Sequence, residues 1–249
     1  MNQLDHFPYL SSYVSSMKVV PSGRFRYGQR GWSTQMTSFK IGATPVTWAL
    51  WKEYCSSTGF QLHDESNQSH LDNHPALVSW SDIMGKVGFT TWASEVSGVL
   101  LSLPTSTQFE YAARGGKDGL IYPWGDKFDR RLVWWSADIE SAKTTGAVDR
   151  LDKIYCNGYG LTDMVGNVPQ WCRDRVRTVS TRSIDPVGCV TSPDRDIRGA
   201  MIVIPNKYTY FQCAFRECAF IDARWLNIGF RLVAPANEVQ PSNSDATKL

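Results

Sequence analysis

Residues 103–116 read LPTSTQFEYAARGG and describe one short helix with both of its ends marked. Thr105 is placed to cap the first turn, and the closing pair of glycines favours a stop. Phe109 lies on the face that we expect to be buried. Glu110 and Arg114 are four residues apart, a spacing that brings two helical side chains together and predicts an ion pair. This stretch therefore predicts a short helix that is fixed at both ends.

Further short helices are predicted upstream of this stretch. Residues 44–59 read TPVTWALWKEYCSSTG, with Thr44 or Thr47 as the cap and Gly59 as the stop. Residues 79–98 read SWSDIMGKVGFTTWASEVSG, with a serine cap and internal glycines that interrupt the helix. Short alternating or irregular stretches occur at 18–28, 37–42, 121–126, 200–204 and 228–233. Because loops separate all of these elements, the sequence predicts a loop-rich α+β protein.

The overall composition excludes several classes of function. The 249 residues carry a formal net charge of +2 with 20% charged residues, so no nucleic-acid partner is indicated. No window approaches the roughly 20 apolar residues of a membrane-spanning helix. The N-terminus has no basic start and no apolar centre, so no signal peptide is predicted, which leaves a cytoplasmic, virion-associated or otherwise exported protein. The six cysteines are widely spaced, and we expect free thiols.

Seven stretches occur in an order that resembles one known family. They are SFKIGATPVTWALWKEYC (38–55), HPALVSWSD (74–82), LPTSTQFEYAARGG (103–116), YPWGD (122–126), NGYGLTDMVGNVPQWCRD (157–174), RGA (198–200) and NIGFRLV (227–233). Together they resemble the formylglycine-generating-enzyme, or sulfatase-modifying factor, domain. This resemblance covers residues 17–233 and implies a C-type lectin-like fold with short helices and small antiparallel sheets. It leaves residues 1–16 as an N-terminal extension and residues 234–249 as a polar tail, which we expect to be disordered.

Members of that family differ in what they do, so the resemblance does not fix the function. Some members oxidise a substrate cysteine with a copper ion that two cysteines hold. Some are iron enzymes that use histidines from an additional helical domain. Others are the variable proteins of diversity-generating retroelements, which carry a hypervariable C-terminal segment on a fixed fold and bind diverse ligands.

The copper site can be tested by its register in the sequence. Residues 212–216, QCAFR, resemble the stretch that contains the second copper cysteine, which makes Cys213 its counterpart. The first cysteine should lie five residues earlier, where this chain has Tyr208, and a phenol does not replace a thiolate toward Cu(I). Cys218 keeps the spacing but lies on the other side. We therefore expect no enzyme; an oxidase that uses Cys213 and Cys218, or a degenerate regulatory member of the family, is the alternative.

The sequence gives little indication of an iron or a calcium site. The chain has only four histidines, too few for the iron site that the resemblance implies. Residues 166–171 read GNVPQW, where the family's calcium site has a glutamate at the position of Gln170. This replacement removes a negative charge that calcium favours. No cofactor is expected; a structural calcium is left open, as is a weak metal site among His63, His70 and His74.

The variable-protein interpretation rests on where the chain departs from the family pattern. Residues 103–174 stay close to the pattern, whereas the departures are concentrated within residues 198–233, the expected variable region. Framework positions retained in this region are Arg198, Gly199, Cys213, Arg216, Asp222, Arg224 and residues 228–233. The positions between them carry aromatic and aliphatic side chains, which supply large contact area at little cost in side-chain entropy.

We therefore expect a non-catalytic protein that binds a ligand, with a protein as the partner. The expected binding residues are Ile202, Ile204, Asn206, Tyr208, Tyr210, Glu217, Cys218, Ala219, Phe220, Trp225 and Leu226. If the aromatic members faced solvent together, they would form an apolar patch of the kind that marks a binding site. The calcium-dependent sugar motifs Glu-Pro-Asn and Gln-Pro-Asp are absent from the expected loops, so the fold implies no sugar binding.

Overall fold

The computed structural model of the protein describes residues 3–61, 71–134, 145–149, 156–175, 184–199, 208–224 and 227–236. Five α-helices lie in these ranges: α1 (Pro8–Ser16), α2 (Trp48–Thr58), α3 (Trp80–Met84), α4 (Phe89–Ser97) and α5 (Ser106–Ala113). Single 3-10 turns occupy Gln3–His6, Arg130–Leu132 and Tyr208–Phe211. Within the described ranges, every helix is too short or too polar to cross a membrane.

The strands of the described residues form three small antiparallel sheets. The first joins β1 (Lys18–Val20), β4 (Phe39–Ile41) and β8 (Val233–Pro235), so it brings the two ends of the domain together. The second is the hairpin of β2 (Gly23–Tyr27) and β3 (Trp32–Met36). The third joins β5 (Gln170–Trp171), β6 (Asp194–Arg198) and β7 (Glu217–Phe220).

The predicted helix ends are confirmed at each of the three stretches. Thr47 caps α2, and Gly59 ends it with a left-handed backbone at φ +73°. Ser79 and Thr105 form capping boxes at the starts of α3 and α5, in which side chain and backbone satisfy each other's hydrogen bonds. The glycines between α3 and α4 divide the second stretch, as predicted. Local sequence therefore determines where these helices begin and end.

Aromatic side chains fill the main core. Trp51 of α2 stacks on Phe89 of α4 with ring centroids 5.3 Å apart, and both contact the ring of Phe230 edge-on. A second core lies between the β2–β3 hairpin and α5 and includes Cys213. A smaller cluster gathers Tyr122, Val133, Val165 and Phe211, with partly buried aromatic residues around it. This last cluster supports the surface described below.

The first helix packs against the domain. Leu10 of α1 is fully buried, and Tyr13 is nearly so and donates a hydrogen bond near the start of α2. The carboxylate of Glu53 accepts hydrogen bonds from the backbone N–H groups of Tyr9 and Leu10, at 3.1 and 2.9 Å. Residues 8–16, expected as part of an extension, are thus packed on the core. At the other end, β8 runs to Pro235, past the expected boundary at residue 233, and residues 237–249 lie outside the described ranges.

Candidate binding face

A buried network of ion pairs holds the start of the expected variable region, residues 198–233, in place. Arg198, at the end of β6, is 1% exposed and donates to the Glu110 carboxylate at 2.6 Å. The same carboxylate accepts a hydrogen bond from the guanidinium of Arg114 at 2.6 Å, so the predicted Glu110–Arg114 ion pair is confirmed. Arg198 also donates to the carbonyl oxygen of Phe215 at 2.7 Å. One guanidinium thereby ties α5 to the loop that follows Cys213.

Two more framework arginines, Arg224 and Arg231, are also held by several hydrogen bonds. Arg224 makes a two-pronged ion pair with Asp82 of α3, at 2.7 and 3.1 Å. Arg231 is fully buried and donates to Gln170 and to the carbonyl oxygens of Gly42 and Thr162. Such planar donors suit several fixed acceptors at once. The framework positions therefore act as anchors for the loops between them.

The Cys213 thiol lies inside the protein rather than in an open site. Cys213 is 3% exposed, and its backbone N–H donates to the carbonyl oxygen of Ile121 at 2.8 Å. Burial raises the pKa of its thiol to about 12, so the thiol is protonated at neutral pH. The described ranges include all six cysteines, and no disulfide forms among them. Cys213 is thus a core residue in this state.

Several expected binding residues do reach the surface. Tyr208 is 46% exposed and Phe220 is 65% exposed, and Glu217 is also exposed. Tyr210 and Cys218 are half-buried. Ala219 is 5% exposed and belongs to the main core, so its side chain does not contribute to a surface. The remaining expected residues, Ile202, Ile204, Asn206, Trp225 and Leu226, lie outside the described residues.

The exposed tyrosine rests on aromatic residues from another part of the chain. The ring of Tyr208 stacks on Phe128 with centroids 4.3 Å apart. Phe128 in turn contacts Tyr122 and Phe211, and Trp124 stacks on Tyr122 at 5.5 Å. Together they build an aromatic shelf beneath Tyr208. Nothing in the spacing of the sequence joins Phe128 to Tyr208, so the sequence prediction missed this contact.

The residues at the copper positions do not fit a copper site. Cys213 has the Arg114, Glu110 and Arg198 charges around it, whereas the Cys218 thiol lies beside Arg175 and Asp194. The two thiols thus occupy different surroundings, and Tyr208 provides no thiolate. No group of three or more His, Cys, Asp or Glu side chains with metal-binding geometry occurs in the part of the chain that the structure describes.

The residues at the calcium positions are engaged in hydrogen bonds within the protein. The amide oxygen of Gln170 accepts from Arg231 at 2.7 Å, and its nitrogen donates to the carbonyl oxygen of Asp163. The amide of Asn167 exchanges two hydrogen bonds with the backbone of Gly146. A guanidinium beside Gln170 opposes cation binding, so these residues do not fit calcium either.

Comparison with known proteins identifies the family of the chain. The family model "Sulfatase-modifying factor enzyme 1-like domain" matches residues 8–236. The formylglycine-generating enzyme of Thermomonospora curvata is 33% identical over 229 residues, 82% of this chain and 72% of that protein. The mouse enzyme of the same name is 32% identical over 68% of this chain, and the chain spans about half (46%) of its length. A bovine relative, "Inactive C-alpha-formylglycine-generating enzyme 2", is 30% identical over 57% of this chain and 44% of its own length.

Solved structures give the same fold at lower identity. Treponema denticola variable protein 1 superposes with a TM-score of 0.68 at 18% identity, covering 88% of this chain and 94% of that one. PvdO from Pseudomonas aeruginosa gives 0.70 at 20% identity, with the same coverage of 88% and 94%. The expected fold, an α+β C-type lectin-like domain, is confirmed. The chain belongs to the sulfatase-modifying factor enzyme 1-like family.

Proposed function

We propose that this protein is a non-catalytic ligand-binding member of the family, the variable protein of a diversity-generating retroelement. Its ligand, a protein, is bound by a face built from the segment between the framework arginines. Residues 198–233 serve as the variable region on a fixed fold. Tyr208, Glu217 and Phe220 supply the contact surface among the described residues.

The observation that carries this proposal is the contrast at the two cysteine positions. Tyr208 stands where the resemblance implies the first copper ligand, and it lies exposed on the ring of Phe128. Cys213 stands at the second position and is buried with its thiol protonated. A thiolate pair for copper is therefore missing, and an amphipathic aromatic side chain points outward instead. Tyrosines of this kind are common at recognition surfaces.

The rigidity of the framework also supports binding. Arg198 and Arg224 are tied to Glu110 and Asp82 by short ion pairs, so the loops between them start and end at fixed points. Binding residues are commonly placed on loops that a rigid scaffold positions. A preorganised surface loses less entropy on association, which favours affinity.

A selection experiment tests this proposal. The full chain is immobilised and used to select from a phage-displayed library of folded protein fragments. The enriched fragment is then titrated against Tyr208→Ala and Phe220→Ala. We expect each variant to weaken binding by about tenfold or more, because exposed aromatic anchors dominate such interfaces.

The matched control is Leu100→Ala, since Leu100 is 69% exposed but lies outside the proposed face. This variant should bind the enriched fragment as the wild type does. An enriched fragment whose affinity falls with Leu100→Ala and is unchanged by both aromatic variants would place the binding surface elsewhere and refute the proposal.

A further inference from the structure

A cleft lies beside the proposed face and is built mostly from residues outside the variable region. Its volume is about 350 Å³. The hairpin turn between β2 and β3 forms one wall, and the segment after α5 forms the other. Gln212 and Ala214, the two neighbours of Cys213, form its border with the variable region. A ligand seated on the proposed face can therefore reach into a constant site.

One arginine in this cleft is held in a fixed orientation. The backbone N–H and the Nε of Arg26 donate to the two oxygens of Asp118, at 2.9 and 3.0 Å. The side chain is 64% exposed, and its two terminal nitrogens have no protein partner in the part of the chain that the structure describes. A single carboxylate thus positions the guanidinium and leaves its outer donors available to a ligand.

The glycine next to this ion pair makes room for the guanidinium. Gly119 has φ +83°, and a Cβ added there would lie 2.6 Å from the Nη2 atom of Arg26. Any side chain at this position would push the guanidinium away, quite apart from the strained backbone conformation. The absence of a side chain at Gly119 therefore keeps Arg26 against the wall of the cleft.

The charges around the cleft favour an anion. Arg114 also lines the cleft, but it shares the Glu110 carboxylate with Arg198. The charged side chains that line the cleft are both arginines, Arg26 and Arg114, whereas their carboxylate partners Asp118 and Glu110 are not among its lining residues. The side-chain amides of Gln29 and Gln212 add neutral donors at the border. Among the described residues, the lining of the cleft therefore presents guanidinium groups and no carboxylate to a ligand.

We propose that this cleft is a constant carboxylate-binding pocket, which takes an acidic side chain of the ligand protein through the outer nitrogens of Arg26. The planar fork of a guanidinium matches the two oxygens of a carboxylate. The identity of the ligand rests on the proposed function, whereas the chemistry of the pocket does not. Ligands of proteins that differ from this one only at the variable positions would share this acidic contact.

The experiment titrates the full chain with small probes, so it needs no protein ligand. The probe is the N-acetyl α-amide of glutamate, with the corresponding glutamine derivative as the neutral control. The Nε–H signal of Arg26, assigned by its loss in Arg26→Gln, reports binding by NMR. We expect saturable binding of the glutamate probe in the millimolar range and none of the glutamine derivative.

Three variants separate the effects of charge, guanidinium geometry and position. Arg26→Gln should weaken binding of the glutamate probe about tenfold or more, because a charged hydrogen-bond donor is lost. Arg26→Lys keeps the charge without the fork and should fall between the glutamine variant and the wild type. Arg24→Gln is the matched control, since Arg24 is exposed on the same strand but does not line the cleft. It should bind like the wild type.

The outcomes that overturn the pocket are distinct from those that overturn the proposed function. Equal binding of the glutamate probe by wild type and Arg26→Gln would refute the pocket, as would no saturable binding at all. Inorganic phosphate that binds more tightly than the glutamate probe would refute the carboxylate as its ligand. A failed fragment selection with intact glutamate binding would instead count against the proposed function alone.

Discussion

At the scale of single residues, Glu110 is the position on which the segment depends most. Its carboxylate is fully buried and joins Arg198, Arg114 and the backbone N–H of Gly28, all within 2.8 Å. Glu110→Gln should lower the free energy of unfolding by about 3–5 kcal/mol, because it leaves a buried guanidinium without its counter-charge. Urea unfolding of the full chain measures this. Asp129→Asn, which removes an exposed ion pair with Arg131, should change little. Equal effects of the two substitutions would contradict the assigned role.

Cys213 gives a second prediction at this scale, which concerns pH. Burial raises the pKa of its thiol from 9.0 to about 12 in the folded state. A raised folded-state pKa means that the thiol contributes stability that is fully present below about pH 9 and is lost as the pH rises toward 12. Between about pH 8 and about pH 11, the wild type should lose on the order of 2 kcal/mol more than Cys213→Ala. Other titrating groups are common to both proteins and cancel. Parallel urea midpoints across this range would show that the thiol is not buried.

At the scale of elements, α1 depends on a carboxylate from another helix. The carboxylate of Glu53 in α2 accepts hydrogen bonds from backbone N–H groups in the first turn of α1, where no side chain of α1 itself provides a cap. Glu53→Ala should cost about 0.5–2 kcal/mol, the usual value of a helix cap. It should also speed hydrogen exchange of the amides in residues 8–16. Burial raises the pKa of Glu53, so the neutral Glu53→Gln, which keeps an acceptor, should have a smaller effect. Unchanged exchange in Glu53→Ala would mean that core packing alone holds α1.

At the scale of the whole molecule, β8 closes the domain. It pairs with β4 from Phe39↔Pro235 to Ile41↔Val233, and Val233 also exchanges two backbone hydrogen bonds with Ser102. A chain that ends at Ala236 keeps all of these contacts, and we expect it to unfold in one cooperative transition near the wild-type midpoint. A chain that ends at Leu232 loses them and should not fold stably. Circular dichroism with thermal unfolding compares the two. Equal midpoints would show that β8 is dispensable.

The sequence predicted contacts between residues that are close along the chain and missed contacts between residues that are far apart. Helix caps such as Thr47 and Thr105, and the Glu110–Arg114 pair, depend on residues within one turn, so the sequence predicted them correctly. The contacts of Arg198 with Glu110 and of Tyr208 with Phe128 join residues about 80 or more positions apart. No local pattern encodes them, since topology alone brings them together. The burial of Ala219 was missed for a related reason, because the inward face of β7 is set by its pairing with β6.

The proposed function requires that Cys213 take no part in copper chemistry. The most direct measurement is a Cu(I) titration of the purified full chain against a competing chelator, run in parallel on Cys213→Ser. We predict no stoichiometric copper, the same result for both proteins, and no oxidation of a cysteine-containing peptide after copper loading. One equivalent of tightly bound copper that Cys213→Ser abolishes, together with oxidation of the peptide, would contradict the claim and identify an oxidase.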